Sequence, residues 1–391
     1  MGHQCHLCCG WNGASTGESL GVLTVHLPMR KKHDRLFLTI VILLVVVGVF
    51  IFSSASLGLL ARKGVSLEQH AARQLLVGLG LGICALVVTS RVPYTVWRTY
   101  APFIFLISLA VSVLVFVPHI GIASHGARRW IALGPMSFQT AELLKFGFVL
   151  YISAWLSSAQ NRVRSFREGV VPFAFFVGLV GVLLLKQPDT GTSAVFCISA
   201  LALFVTGGGK WSHVLGFICT ALIGLATLAY FKPYVLNRFL TFFDPNYDTL
   251  GVSYQARQAL IAIGSGGLFG RGFGQSIQKF NFLPEPTGDS IFAVAAEEFG
   301  FVGTSILLVS FLAFALRGLH IAVRAPDSFG RLVTVGFVLM ITTQSFVNIA
   351  SMIGVIPLTG VPLIFVSQGG SAMLFALAEV GIILNISRKA S

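Results

Sequence analysis

The feature that most constrains this chain is its succession of apolar segments, each near the roughly 20 residues needed to cross a bilayer as a helix. They fall at 36–57, 74–90, 99–117, 139–157, 170–186, 191–207, 212–231, 290–316, 332–352 and 366–386. Lipid offers backbone groups no hydrogen bonds, so 391 residues with about ten such stretches predict an all-α, polytopic integral membrane bundle. Charged residues are 10% of the chain against roughly 25% in soluble domains, and the 42 glycines suit helices that pack closely in lipid.

The formal net charge of +13 is spread between apolar runs rather than gathered on one domain, which argues against nucleic acid as a partner. Membrane orientation accounts for it better. With the N-terminus inside, Arg30, Lys31, Lys32, Arg35, Arg91, Arg98, Arg162, Arg164, Arg167, Lys210, Arg317, Arg324, Arg331, Arg388 and Lys389 fall in cytoplasmic segments. Only Arg62, Lys63, Arg73, Arg128, Arg129 and Lys186 fall in short outer loops. Both termini are therefore predicted to be cytoplasmic, and the long segment 232–289 extracytoplasmic.

Residues 1–28 precede the basic flank Met29-Arg30-Lys31-Lys32 and read as a disordered extension or a misannotated start, leaving 29–391 as a single membrane domain. Cys5, Cys8 and Cys9, with His3 and His6, lack the second ligand pair of a zinc site. The segment also has neither the basic nor the apolar region of a signal peptide. Cys84, Cys197 and Cys219 lie in apolar runs, where a thiol behaves as a small core residue.

The 232–289 stretch is the one long connection, and its apolar content predicts a folded loop. Its glycine-rich portion, Gly264 to Gly274, lacks the preceding strand and the Gly-Lys-Ser/Thr ending of a phosphate loop. A compact turn fits it, although such glycines also offer backbone N–H groups to a phosphate.

Ionisable groups in or beside spans must be paired or wetted. Glu142 and Lys145 stand three residues apart on one helix face and can neutralise each other. Asp189, after Gln187-Pro188, can cap the next helix or serve a site. Glu297, Glu298 and Glu379 must face protein or water, and a structural role fits them. Asp289 reaches the outer mouth of a span, where partial desolvation raises a carboxyl pKa and suits general-base work. On residue physics alone an N-cap role is the favoured explanation.

Ordered short motifs add a further constraint. They include Gly126-Ala127-Arg128-Arg129-Trp130, Glu142-Leu143-Leu144-Lys145, Gln187-Pro188-Asp189-Thr190-Gly191 and Asp244-Pro245. They continue through Ser265-Gly266-Gly267, Gln278-Lys279, Leu283-Pro284-Glu285, Glu297-Glu298-Phe299-Gly300 and Pro357-Leu358-Thr359-Gly360-Val361-Pro362. From Met29 onward the chain resembles the FtsW/RodA/SpoVE (SEDS) family of cell-wall polymerases, with wording closer to the FtsW division branch.

The resemblance implies a peptidoglycan glycosyltransferase of the bacterial cytoplasmic membrane that joins lipid II units and releases undecaprenyl diphosphate. It places the catalytic base on Asp289 and supporting or substrate-binding roles on Glu142, Lys145 and Asp189, and Gln187 and Glu285 in the matching stretches are further supporting candidates. Arg129, Arg238, Arg271 and Lys279 are candidates by chemistry to neutralise the diphosphate. No metal-ligand cluster and no certain cofactor accompany them, and a divalent cation could share that task. Implied partners are a class B penicillin-binding transpeptidase and divisome proteins. Competing readings are an elongation-type polymerase, a flippase for lipid-linked precursor and a non-catalytic division scaffold.

Overall fold

The computed structural model describes residues 33–58, 78–124, 127–133, 136–244, 247 and 251–389. The proposed 1–28 extension lies outside the described residues, as does the start of the second predicted span.

Twelve α-helices make up most of the described chain: α1 (Arg35–Leu57), α2 (Leu81–Arg91), α3 (Tyr94–Leu114), α4 (Thr140–Ala159), α5 (Val171–Lys186) and α6 (Thr190–Thr206). They continue with α7 (Trp211–Phe231), α8 (Pro233–Phe243), α9 (Val252–Ser265), α10 (Ile291–Val323), α11 (Ser328–Met352) and α12 (Gly370–Ser387). Seven of the helical segments are long and apolar enough to cross a membrane. Two shorter apolar helices, Gly78–Arg91 and Thr190–Thr206, and the charged-pair helix α4 account for the remaining predicted spans. Large apolar side chains such as Ile42, Phe103, Leu222 and Ile306 point outward, as lipid-facing residues do.

Helices α11 and α12 lie at the centre and are buried along most of their length, whereas α7 buries only Val214. Between α3 and α4 the structure adds a three-stranded antiparallel meander to the expected helices: β1 (Gly121–Ser124), β2 (Ala127–Leu133) and β3 (Met136–Gln139). Trp130 pairs with Gln139 and Leu133 with Met136, so β3 runs directly into α4 and β2 holds Arg129 near the same end. β-branched and aromatic residues here favour the pleat, and the segment is too polar at Arg128 and Arg129 to extend a span.

Three aspartates cap helices. Asp34 accepts from the Phe37 amide at 2.9 Å and Asp327 from the Gly330 amide at 2.9 Å. Asp189 accepts from the Thr192 amide at 3.1 Å. Asp34 also meets Arg317 at 2.8 Å, tying the start of α1 to α10 near its end.

The 232–289 connection is folded, as its composition predicts, with α8 and α9 inside it. Its glycines pack against a break in α10, where Gly300 adopts φ +65°. Gly270 also has positive φ, and a Cβ on Gly300 would collide with the Gly270 amide. The amides of Arg271 and Gly272 donate to the carbonyls of Glu297 and Glu298 at 2.9 and 3.0 Å. Those two N–H groups are thus spent on the fold, and the compact-turn reading describes them.

Candidate active site at the mouth of α10

Asp289 sits two residues before α10, on a loop pinned to the segment between α11 and α12. Ser367 Oγ donates to the Gly288 carbonyl at 2.9 Å, and the Gln368 amide donates to the Thr287 carbonyl at 2.7 Å. Asn348 Nδ2 donates to the carbonyls of Asp289 and Val361 at 2.8 and 2.7 Å, clamping both strands of the site to α11. Gln255 of α9 donates to Ser290 Oγ at 3.0 Å. The backbone of Asp289 is thereby fixed from three directions while its carboxylate stays directed toward Gly360. That glycine has φ +70°, and a Cβ built on it would lie 3.3 Å from Asp289 Oδ2 and 3.8 Å from Arg238 Nη2.

Arg238, on α8, donates to Thr190 Oγ1 at 3.3 Å and to the Thr359 carbonyl at 3.1 Å. Arg129 Nε donates to the Gln187 carbonyl at 3.0 Å, its Nη2 to the Pro188 carbonyl, and its Nη1 stands 3.8 Å from Asp189 Oδ1. Gln187 itself donates to the Ser112 carbonyl of α3 at 3.2 Å. Burial and, secondarily, the charge of Glu285 push the Asp289 carboxyl up to about 6, against the pull of Arg129 and Arg238. Burial lowers the Arg238 guanidinium from its ordinary value. Asp189, Asp289, Arg129 and Arg238 therefore share one electrostatic neighbourhood, with Glu285 at its edge.

Glu142 and Lys145 form a buried pair at 2.9 Å inside α4. Lys145 also donates to Gln344 Oε1 at 2.5 Å, and Gln344 donates to the Pro362 carbonyl at 3.3 Å. A small pocket beside them, with room for about one water, is lined by Glu142, Lys145, Gln344 and Glu379. Gln344 and Asn348 are one turn apart on α11, so a single helix face grips the 361–362 segment between the buried pair and the Asp289 loop.

Two of the basic residues named from the sequence stand elsewhere. Lys279 is fully buried and binds Glu298 Oε1 at 2.7 Å and Ser54 Oγ at 3.1 Å. Arg271 lies 3.7 Å from Glu297, which also accepts from Ser276 Oγ and the Ile277 amide at 2.5 and 3.0 Å. Both bases serve the structural lock between the glycine turn and α10, because buried carboxylates demand compensation. The structural reading of Glu297 and Glu298 fits this arrangement. Sequence reasoning missed Asn348 and Gln344, which hold the site. Both carried a usable signal, since polar residues four apart within an apolar span need a partner.

These features define a multi-pass membrane protein with a partly desolvated carboxylate set beside two guanidinium groups at a span mouth. The FtsW/RodA/SpoVE cell cycle protein family model matches residues 34–391, and the chain belongs to that family. It is 37% identical over 359 residues to stage V sporulation protein E of Bacillus subtilis, covering 92% of this chain and 98% of the relative. The "Probable peptidoglycan glycosyltransferase FtsW" of Coxiella burnetii is 35% identical, with 92% and 99% covered. Among solved structures, a chain of a peptidoglycan synthase complex that coordinates polymerization and crosslinking superposes with TM-score 0.74 at 29% identity, covering 92% and 98%. The rod shape determining protein RodA of Thermus thermophilus gives TM-score 0.66 at 28% identity, covering 92% and 97%.

Proposed function

We propose that this chain is a peptidoglycan glycosyltransferase that polymerises lipid II at the outer face of the bacterial cytoplasmic membrane, in cell division. The observation that carries the reading is the Asp289 carboxyl, raised to about 6 and held against Gly360 beside Arg238. The names and extents of the relatives support it, as does the likeness to a synthase complex.

In this reading Asp289 takes the proton of the acceptor sugar's 4-hydroxyl as that oxygen bonds to the donor's anomeric carbon. The anomeric bond to the diphosphate breaks, its electron pair leaves with undecaprenyl diphosphate, and Arg129 and Arg238 neutralise the departing charge. A single displacement of this kind inverts the anomeric centre. Asn348, Ser367 and Gln368 hold the loop so that the base does not drift. A transpeptidase of the penicillin-binding class is the partner proposed for crosslinking the product, within a divisome.

The pH profile tests the base directly. Because the folded pKa is raised, the active carboxylate prevails above about 6 and is lost as pH falls through that value. Strand formation from lipid II by the purified chain should therefore show an acidic limb with a midpoint of about 6. A rate that stays level from about pH 5 to 7 would remove Asp289 as the titrating base.

Orientation has its own test. Gln275, on the exposed part of the 232–289 connection, is a suitable reporter, whereas Ser253 is 1% exposed. Gln275→Cys should react with an impermeant maleimide in intact cells. Labelling only after the membrane is opened would place the loop, and the proposed chemistry, on the wrong side.

A further inference from the structure

Tyr234 and Arg238 are four residues apart on α8 and so share one face of that helix. Arg238 is already fixed by Thr190 and the Thr359 carbonyl. Around its guanidinium the fold buries three polar atoms that have no hydrogen-bond partner among the described residues: Tyr234 Oη, Thr359 Oγ1 and Asp189 Oδ2. Asp189 as a whole is 1% exposed, and only its Oδ1 is used by the α6 cap. Fourteen buried side-chain atoms lack a partner among the described residues, and three of them belong to residues gathered about this one cation, where each gives up water unless something replaces it. A ligand that supplies the missing partners accounts for them.

The chemistry of that ligand can be read from the donors. Two hydroxyls and two guanidinium groups present hydrogen-bond donors, which suits an anion with several oxygens. Tyr234 lies in the field of Arg238, Arg129 and Asp189, and burial raises its phenol, so it remains a protonated donor at neutral pH. Arg129 stands beside the Asp189 carboxylate, offsetting its repulsion of an anion. Asp189 Oδ2 is then free to accept a hydroxyl from the sugar next to that anion.

We infer that Tyr234 Oη and Thr359 Oγ1 are substrate-binding donors for the non-bridging oxygens of a lipid-linked diphosphate lying between Arg129 and Arg238. The identity of the lipid rests on the polymerase reading; the anion site does not.

The test uses the full-length purified chain and undecaprenyl diphosphate, with undecaprenol as the neutral control. Tyr234→Phe and Thr359→Val remove one hydroxyl each with little change of shape, and each should weaken diphosphate binding by roughly 5- to 30-fold. Undecaprenol binding and the melting temperature should not move, and Thr359→Ser should restore affinity. In turnover, Tyr234→Phe should raise KM for lipid II along with any fall in kcat. Unchanged diphosphate affinity in both variants overturns the site, as does an equal loss for diphosphate and alcohol. Wild-type protein that binds the diphosphate with these dependences yet forms no glycan would sink the polymerase reading and leave the anion site standing.

Discussion

Asp289→Asn is expected to yield a folded protein that binds lipid II and extends no glycan. The amide keeps the size and hydrogen bonding of the carboxyl but cannot take a proton at the pH of turnover. Loss of a placed general base costs roughly 10²- to 10⁴-fold in rate. The backbone contacts that hold the loop run through the carbonyl of Asp289 and its neighbours, not through the carboxylate, so they survive the change. Glu285→Gln, by contrast, should cost far less activity while lowering the pKa of Asp289, because the charge of Glu285 is second only to burial in raising it. The acidic limb should then move to lower pH. Glycan-strand formation from lipid II, read together with donor binding and melting temperature, decides the matter. Full polymerisation by Asp289→Asn would end the base assignment. If polymerisation persisted while lipid movement across the membrane stopped, a transporter would be indicated.

The second large effect is expected at the buried pair. Lys145→Met strands Glu142 at 4% exposure without a cation, in a pocket it shares with the neutral Gln344 and another acid, Glu379. Breaking a buried pair in this way costs roughly 3–5 kcal/mol. Glu142→Gln should be milder, since Lys145 keeps Gln344 and still faces Glu379. Exchanging the two residues should recover folding only in part, because a lysine at 142 no longer stands opposite Gln344. Detergent-solubilised yield and thermal unfolding read the stability, and lipid II turnover reads the site through Gln344 and Pro362. Wild-type melting and turnover in both single variants would remove the pair from any role.

Much of the fold was legible because a bilayer makes local composition decisive. An apolar run of sufficient length has few alternatives to a helix, so each predicted span meets a helix among the described residues, with some ends displaced by more than a turn. The β1–β2–β3 meander was not legible. It interrupts no long apolar run, and short strands depend on pairing that a single segment does not announce. The helical content of 232–289 was read from its composition, but which of its glycines touch the break at Gly300 was not.

The site divides along the same line. Asp289, Asp189 and the Glu142–Lys145 pair stand out in the sequence because ionisable groups near apolar spans are expensive and need a reason. Spacing alone also paired Glu142 with Lys145, since residues three apart on a helix are neighbours in any fold. The four basic residues were indistinguishable by type. Only the tertiary structure separated Arg129 and Arg238, which face Asp289 and Asp189, from Arg271 and Lys279, which neutralise Glu297 and Glu298. Those contacts join residues far apart in the chain, as Lys279 to Ser54 and Asp289 to Asn348 do. Hydropathy and helical spacing act over a few residues and so determined the spans and the local pair. The partner of a buried charge is set by which helices meet, and that was decided by packing.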